Sequence, residues 1–159
     1  MIKNNFKRNI FFIIIFTFIF VTDRLSKLYI LHLAQINDSL DLFITPYLNF
    51  YLIWNKGIAF GLFSFDQNFI YNLITFLIIV VTTIVLIIAI KSKDYKGYFF
   101  ISIFSGSIGN LYDRFYYSAV PDFIDFHLHD FHWFIFNVAD IFISLGVICL
   151  IFVEIFFKK

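Results

Sequence analysis

Four long apolar stretches dominate the pattern of hydrophobic and polar positions along the chain. Each approaches the roughly 20 residues that a helix needs to cross a bilayer. The second stretch contains no charged residue, whereas charged residues interrupt the first near its end and the fourth near its start. The stretches run at about 9–28, 69–90, 97–112 and 136–157. The pattern therefore predicts a mainly α-helical membrane protein with four transmembrane helices.

The connection between the first two stretches is too long to be a simple turn. Its sequence DLFITPYLNFYLIWNKGIAFGLF alternates polar and apolar positions, and is interrupted by Pro46, Gly57 and Gly61. Short strands and turns fit this pattern best. Because irregular backbone is not tolerated in lipid, we expect a small β-rich element at about 36–66 on the outer surface. The chain as a whole, 1–159, is predicted to form a single membrane-embedded domain.

Composition strengthens the prediction of a membrane protein. The chain is 61% hydrophobic and only 14% charged, whereas a soluble domain is about 45–50% apolar. The single cysteine, Cys149, lies in an apolar run, which excludes an intrachain disulfide and a cysteine-based metal site. The first span has the basic start of a signal peptide but no small-residue cleavage pattern, so we expect it to be retained.

Charges are distributed unevenly between the two ends of the predicted spans. Eight of the twelve basic residues lie at one end, namely Lys3, Lys7, Arg8, Lys91, Lys93, Lys96, Lys158 and Lys159. Nine of the eleven acidic residues lie at the other, namely Asp23, Asp38, Asp41, Asp66, Asp113, Asp122, Asp125, Asp130 and Asp140. Because basic residues concentrate on the cytoplasmic side of membrane proteins, we expect cytoplasmic termini and acidic chemistry near the outer face.

Charged residues inside membrane helices are costly, so each is a candidate for function. Asp23 and Lys27 are four residues apart and share a helix face, where they could form an ion pair that is either an anchor or part of a site. The third span ends in GNLYDR, in which Asn110, Asp113 and Arg114 could form a buried hydrogen-bonded brace. Arg114 is expected to be structural or to orient substrate, because it does not give up its proton.

Two aspartates could meet at the outer mouth of the helices. Asp140 opens the fourth span, where an aspartate is also a favourable helix-start residue, so capping alone could explain it. Asp122 heads the preceding segment, and Asn137 lies between the two. When two carboxyl groups share a site, ionisation of both is unfavourable, and one keeps its proton. Such a pair suits amide hydrolysis, with one member activating water and the other protonating the leaving nitrogen.

Three histidines raise the alternative of a metal site. His127, His129 and His132 do not form the His-Glu-x-x-His pattern, and their spacing in a loop is a weak ligand signal. We therefore expect surface loop residues at 127–133 and no metal ligands. Serine catalysis is not favoured either, because SGSIGN lacks the G-x-S-x-G elbow and its small residues are typical of a helix-packing face.

Five blocks, read in order, resemble the lipoprotein signal peptidase family, the type II signal peptidases of bacteria. They are TDRLSK at 22–27, NKGIAF at 55–60, GNLYDR at 109–114, VPDFIDF at 120–126 and FNVAD at 136–140. The resemblance implies a metal-independent aspartic endopeptidase that needs no cofactor and cuts the signal peptide from a prolipoprotein just before its diacylglyceryl-cysteine. It implies a bacterial cytoplasmic membrane location, with prolipoproteins and membrane lipid as partners, no nucleic acid, and a monomer.

The resemblance also implies roles for particular residues. The family's catalytic aspartates fall on Asp122 and Asp140. Other positions would line the site, contact the substrate backbone or the inhibitor globomycin, or support these groups: Asn55, Gly57, Asn110, Arg114, Asn137, Asp23, Lys27, Asp113 and Asp125. The chain departs from the family at Arg24, where a glutamine is usual, and at Pro121, where a small aliphatic residue is usual.

A proton-coupled transporter or channel subunit is the main alternative to a peptidase. Its relay would consist of Asp23, Lys27, Asp113, Arg114 and Asp140. The acidic residues cluster at one face, however, and the second span has no acidic or basic residue to carry protons inward. A purely structural membrane protein leaves the charges within the spans unexplained, so the sequence favours the peptidase.

Overall fold

The computed structural model combines four long helices with an antiparallel sheet. It describes residues 2–37, 39–57, 68–128 and 131–157, and the side chains of all of these except 2–5 and 68. The elements are α1 (Ile2–Ile36), β1 (Asp41–Thr45), β2 (Leu48–Asn55), α2 (Asn68–Lys91), α3 (Lys96–Tyr117), β3 (Val120–Leu128), β4 (Phe131–Phe136) and α4 (Val138–Phe156). Some positions used above lie outside the described residues or side chains: Lys3, Asp38, Ile58–Phe60, Gly61, Asp66, His129, Asp130, Lys158 and Lys159.

Helix α3 is central and packs against α1, α2 and α4. Small residues permit this, because a glycine lets a neighbouring helix approach its backbone closely. A Cβ on Gly106 would lie 2.6 Å from the carbonyl oxygen of Ala139, and a Cβ on Gly109 would lie 2.7 Å from Oδ2 of Asp23. The predicted small-residue packing face of the third span is therefore confirmed, and it brings α3 directly against the start of α4.

We expect Gly106→Ala to destabilise the protein by about 1–3 kcal/mol, the usual cost of overpacking a tight contact. The added methyl group would collide with the backbone of α4 near Ala139, which outweighs the better helix propensity of alanine. Gly97→Ala is the milder comparison, because its new methyl group would lie 3.1 Å from the tip of the Phe12 ring and 3.3 Å from the carbonyl oxygen of Ala89. Thermal unfolding in detergent measures both, and an unchanged midpoint for Gly106→Ala would show that α3 and α4 are not in tight contact.

The exposed surface of the helices is apolar, while several charged side chains are buried. Phe11, Val81 and Phe152 are each more than half exposed, whereas Asp23 and Lys27 are almost inaccessible. This inverted distribution suits lipid as the surrounding solvent, because charges in a bilayer need an interior partner. Three helices are long and apolar enough to cross a membrane, over Phe6–Ile36, Phe69–Lys91 and Val138–Phe156.

The predicted limits of the spans differ most from the helices at the first and third. Helix α1 continues to Ile36 rather than ending near 28, because its charged residues pair inside the protein and do not interrupt the helix. Helix α3 contains Asp113, Arg114 and several small polar residues, and it is not among the three apolar candidates. Four transmembrane helices therefore remain a prediction, although α3 forms a helix at the third predicted span.

The sheet is larger than the predicted insertion. Its strand order is β1-β2-β3-β4, with all neighbours antiparallel. Of the strands in the described residues, β1 and β2 come from the connection between α1 and α2, whereas β3 and β4 lie between α3 and α4. The prediction that 127–133 is a loop was therefore wrong for its described residues, since His127 is in β3 and His132 is in β4. Ile30, Leu40 and Phe123 form a buried cluster that joins the sheet to α1.

Candidate active site

Asp122 lies near the start of β3, and its carboxylate is held by two amides from other elements. The side chain is 1% exposed. The amide nitrogen of Asn55, the last residue of β2, donates to Oδ2 at 2.9 Å. The amide nitrogen of Asn137 donates to Oδ1 at 2.6 Å. Both carboxylate oxygens therefore accept a hydrogen bond within the protein itself.

Asp140 combines a capping role with a contact to α3. Its Oδ2 accepts the backbone N–H of Asn137 at 3.1 Å, and the side-chain oxygen of Asn137 accepts the backbone N–H of Asp140 at 3.2 Å. This reciprocal pair is a capping box, which secures the first turn of α4. The other carboxylate oxygen, Oδ1, accepts a hydrogen bond from the side chain of Asn110 at 2.8 Å. Capping therefore explains one oxygen of Asp140 but not the other.

Three asparagines are oriented in the same way, each with its oxygen anchored and its nitrogen directed at an aspartate. The oxygen of Asn55 accepts the backbone N–H of Gly57 at 2.8 Å, and that of Asn110 accepts Nζ of Lys27 at 2.9 Å. The oxygen of Asn137 is occupied by a backbone N–H of α4. Because an amide oxygen only accepts hydrogen bonds, these anchors decide which end of each side chain faces the carboxylates. Gly57 and Lys27 thus act on the aspartates through asparagines.

A buried cluster of charges lies behind the aspartates. The predicted pair of Asp23 and Lys27 is confirmed at 2.9 Å, and Lys27 also donates to Asp113 at 2.7 Å. Arg24 joins the same two acids, at 2.8 Å from Asp23 and 2.7 Å from Asp113. Asp23 additionally accepts the backbone N–H of Ala139 at 3.1 Å. The cluster therefore ties α1 and α3 to the first turn of α4, which carries Asp140.

Arg114 does not join this cluster, contrary to the predicted brace with Asn110 and Asp113. Its guanidinium lies 5.4 Å from the centre of the Tyr71 ring, and the hydroxyl group of Tyr71 donates to the Arg114 carbonyl at 3.0 Å. Nη1 of Arg114 is buried and has no hydrogen-bond acceptor in the part of the chain that the structure describes. A buried donor without a partner is costly, so this group is suited to a ligand that supplies an acceptor.

Both aspartates line one cavity of about 440 Å³. Its polar lining is Asn55, Asn110, Arg114, Ser107 and Ser144, in addition to Asp122 and Asp140. Its apolar lining is Ile78, Val120, Ile143, Val147 and Ile148. A largely apolar cavity with a few converging polar groups is the usual form of a site for a small or extended ligand.

Burial raises the pKa of Asp122 from its ordinary value of 3.8 to about 7, and the negative charge of Asp140 contributes in the same direction. Hydrogen bonds from Asn55 and Asn137 and the charge of Lys27 limit the rise. An aspartate with this pKa holds a proton below neutral pH. Geometry and electrostatics together thus provide one cavity in which a protonated and an ionised carboxyl can coexist.

The raised pKa predicts a pH-dependent difference in stability between the wild type and Asp122→Asn. The folded state keeps the Asp122 proton up to about pH 7 while the unfolded chain releases it near pH 4, so wild-type stability falls as the pH rises through this window. Asp122→Asn lacks this pH-dependent contribution to stability. Its free energy of unfolding should therefore rise by about 3 kcal/mol relative to that of the wild type between pH 5 and pH 8.

Thermal midpoints at the two pH values measure this difference, and Asp41→Asn, at an exposed position of the same sheet, should follow the wild type. A difference between wild type and Asp122→Asn that does not change with pH would show that Asp122 is ionised throughout.

The structure separates Asp125 from the two aspartates of the cavity. Its side chain is buried, does not line the cavity, and faces His127 and His132. Two polar residues of the cavity were not among the predicted site residues. Ser144 follows Asp140 by four positions and Ser107 precedes Asn110 by three, so helical periodicity from the predicted residues would have found both.

Comparison with known proteins identifies the family of this chain. The family described as signal peptidase (SPase) II matches residues 15–157. The chain is 54% identical over 159 residues to a lipoprotein signal peptidase of Pelagibacter ubique, covering 100% of this chain and 96% of that one. The chain belongs to the lipoprotein signal peptidase family. The family resemblance of the five sequence blocks is thus confirmed.

More distant lipoprotein signal peptidases and solved structures agree. The relative from Anaplasma phagocytophilum is 37% identical, covering 94% of both chains, and that from Aquifex aeolicus is 36% identical, covering 89% of this chain and 83% of the relative. A bacterial membrane enzyme solved at 1.9 Å resolution is 25% identical with a TM-score of 0.71, covering 93% of this chain and 94% of that one. Lipoprotein signal peptidase membership makes this chain a membrane protease of the class that removes signal peptides from prolipoproteins.

Proposed function

We propose that this protein is an aspartic endopeptidase that cuts prolipoproteins on the amino side of their diacylglyceryl-modified cysteine. The observation that carries the proposal is the aspartate pair, since Asp122 and Asp140 line one cavity and each is held by an oriented asparagine. Such an arrangement fixes the position of both carboxyl groups before the substrate enters. Pre-positioned catalytic groups lower the barrier by avoiding reorganisation during the reaction.

The pair shares one proton in the proposed mechanism. Asp122 holds this proton below about pH 7, consistent with the pKa that burial gives it, and ionised Asp140 takes a proton from water as the water oxygen attacks the scissile carbonyl carbon. The proton of Asp122 stabilises the carbonyl oxygen. The C–N bond then breaks, the new amine receives a proton from the pair, and one product carries the new carboxyl group. No metal or cofactor takes part in these steps.

The remaining site residues position these groups and the substrate. Arg114 lines the cavity, and its buried Nη1 has no acceptor in the described residues, so its guanidinium can bind a peptide carbonyl of the substrate. Asn55, Asn110 and Asn137 hold the carboxylates, and Gly57 anchors Asn55. Asp23, Lys27 and Asp113 hold Asn110 and the start of α4 in place. Asp125, which lies apart, supports β3 rather than the reaction.

The protein is proposed to cross the bacterial cytoplasmic membrane four times, with α3 as the third span and both termini in the cytoplasm. Arg8 donates to the carbonyl of Ser92 at 2.6 Å, so the start of α1 and the basic turn between α2 and α3 lie at the same end of the protein. The sheet and the aspartates belong to the other end. This orientation places the site near the outer face, where a monomer could receive a substrate whose lipid and signal helix are both in the bilayer.

Cleavage in the presence of a chelator tests the metal-independent mechanism. Purified protein is mixed with a diacylglyceryl-modified prolipoprotein, with and without ethylenediaminetetraacetic acid, and the fragments are identified by mass spectrometry. We expect the same rate in both samples and a single new amino terminus at the lipidated cysteine. A loss of cleavage that added zinc restores, with no change in the thermal midpoint of the protein, would replace the aspartic mechanism with a metal-dependent one.

A further inference from the structure

Three potential metal ligands lie on one face of the β3–β4 hairpin, away from the cavity. Asp125 and His127 are two residues apart in β3, so their side chains share a face of the sheet. His132 in β4 is the direct cross-strand partner of His127. The strand geometry thus assembles a carboxylate and two imidazoles that the spacing in the sequence alone does not reveal.

The distances within this group are close to those of a coordination sphere. Nδ1 of His132 lies 2.8 Å from Oδ2 of Asp125, and Nδ1 of His127 lies 3.8 Å from the same oxygen. One ligand atom from each residue lies within 4.8 Å of the other two. Tetrahedral zinc with bonds of about 2.0–2.2 Å places its ligand atoms roughly 3.4 Å apart. Nδ1 of His132 is hydrogen-bonded to Asp125 in this structure, and rotation of the His132 ring, whose side chain is 57% exposed, would exchange this bond for coordination of an ion.

His127 provides an independent indication of a ligand. Its side chain is only 10% exposed, and its buried Nδ1 has no hydrogen-bond partner in the described part of the chain. The distance of 3.8 Å to Asp125 is too long for a hydrogen bond. A buried polar atom without a partner requires an explanation, and an ion beside it is one of the few available. This Nδ1 atom lies 3.8 Å from Oδ2 of Asp125, which is close enough for one ion to contact both atoms.

We propose that Asp125, His127 and His132 bind one Zn²⁺ ion. Two imidazoles and one carboxylate suit zinc, whereas calcium and magnesium prefer ligand sets made only of oxygen. The exposed side of His132 leaves room for water as the fourth ligand. Binding requires neutral imidazoles, and the ion then satisfies Nδ1 of His127 while neutralising part of the charge of the buried Asp125.

The zinc site is structural rather than catalytic. None of its three ligands lines the cavity. The β3–β4 hairpin nevertheless connects the two halves of the active site, because Asp122 lies at the start of β3 and Asn137 follows β4 directly. An ion that joins the two strands at His127 and His132 would hold this connection in its paired form. We therefore expect zinc to raise the stability of the folded protein without taking part in cleavage.

Metal binding to the purified full chain tests this proposal. The protein in detergent is stripped of metal, and zinc binding is measured by calorimetry for the wild type, the double variant His127→Gln/His132→Gln, and the control His32→Gln, an exposed residue of α1. We expect one Zn²⁺ per chain in the wild type and the control. The double variant should lose more than about 100-fold in affinity, because even changes outside the ligand set cost 10–100-fold.

Thermal unfolding with and without zinc gives a second measurement on the same samples. The midpoint should rise with zinc in the wild type and the control but not in the double variant. If the double variant does not fold, His132→Gln alone serves, because this mostly exposed ring can be replaced without disturbing the core. Absence of stoichiometric binding to the wild type, or wild-type affinity in the histidine variants, would overturn the proposal. Either result leaves the aspartic mechanism untouched, since cleavage is not the readout.

Discussion

Replacing either Asp122 or Asp140 with asparagine is expected to lower the rate of prolipoprotein cleavage by at least about a thousandfold, within the range that acid–base catalysis contributes. Asparagine has nearly the same shape as aspartate but neither accepts a proton from water nor donates one to the leaving nitrogen. Initial rates with a diacylglyceryl-modified prolipoprotein measure the effect. Asp41→Asn makes the same chemical change at an exposed position of β1 and should retain full activity.

The effects of replacing the two aspartates on the cleavage rate should not add. Residues that act as a unit in one reaction have effects that do not add, so the double variant should be no slower than the worse single variant. Substrate binding separates loss of chemistry from loss of fold, and both variants should still bind the substrate. Full activity in either single variant would remove that residue from the mechanism.

Lys27→Met is expected to destabilise the protein by about 3–5 kcal/mol, the usual cost of removing one member of a buried ion pair. The Lys27 side chain is 1% exposed, and its ammonium group contacts Asp23, Asp113 and Asn110. Without it, Asp23 and Asp113 keep Arg24 as their only counter-charge among the described residues, and Asn110 loses the anchor for its oxygen. At about 2–4 °C per kcal/mol for a chain of this size, the thermal midpoint should fall by roughly 10 °C.

Lys96→Met is the matched control for this change. Its ion pair with Glu154 has a similar length of 2.9 Å but lies in solvent, with side chains 31% and 50% exposed. Exposed pairs contribute little because water screens them, so the midpoint of Lys96→Met should stay near that of the wild type. A wild-type midpoint for Lys27→Met would mean that the cluster behind the aspartates is not required for the fold.

The sequence was most informative where a local pattern carries the structure. The apolar run of α2 predicted that helix to within one residue at each end, at 69–90 against Asn68–Lys91. The spacing of Asp23 and Lys27 predicted their ion pair, because residues four apart share a helix face. Five short blocks of neighbouring residues, read in order, led to the family that the comparisons confirm. Each of these inferences needs only residues that are close together in the chain.

The sequence was least informative where distant segments pair. The sheet joins β2 to β3 across the whole of α2 and α3, and no local pattern shows that Asn55 will lie beside Asp122. Arg24 was noted only as a departure from the family, yet its guanidinium joins two acids on different helices. The histidines were assigned to a loop from their spacing alone. That spacing shows neither the contribution of Asp125 nor the pairing of β3 with β4. These contacts depend on strand register and helix packing, which a single sequence does not specify.

A single-turnover experiment tests the central claim most directly, namely that Asp122 and Asp140 together hydrolyse the bond before the lipidated cysteine. Enzyme is placed in excess over a diacylglyceryl-modified prolipoprotein, and the fragments are weighed by mass spectrometry after one turnover. We predict complete conversion by the wild type to a signal peptide and a product that begins at the lipidated cysteine, and intact substrate with Asp122→Asn and with Asp140→Asn. Stoichiometric product from either variant, or cleavage at another bond by the wild type, would contradict the account.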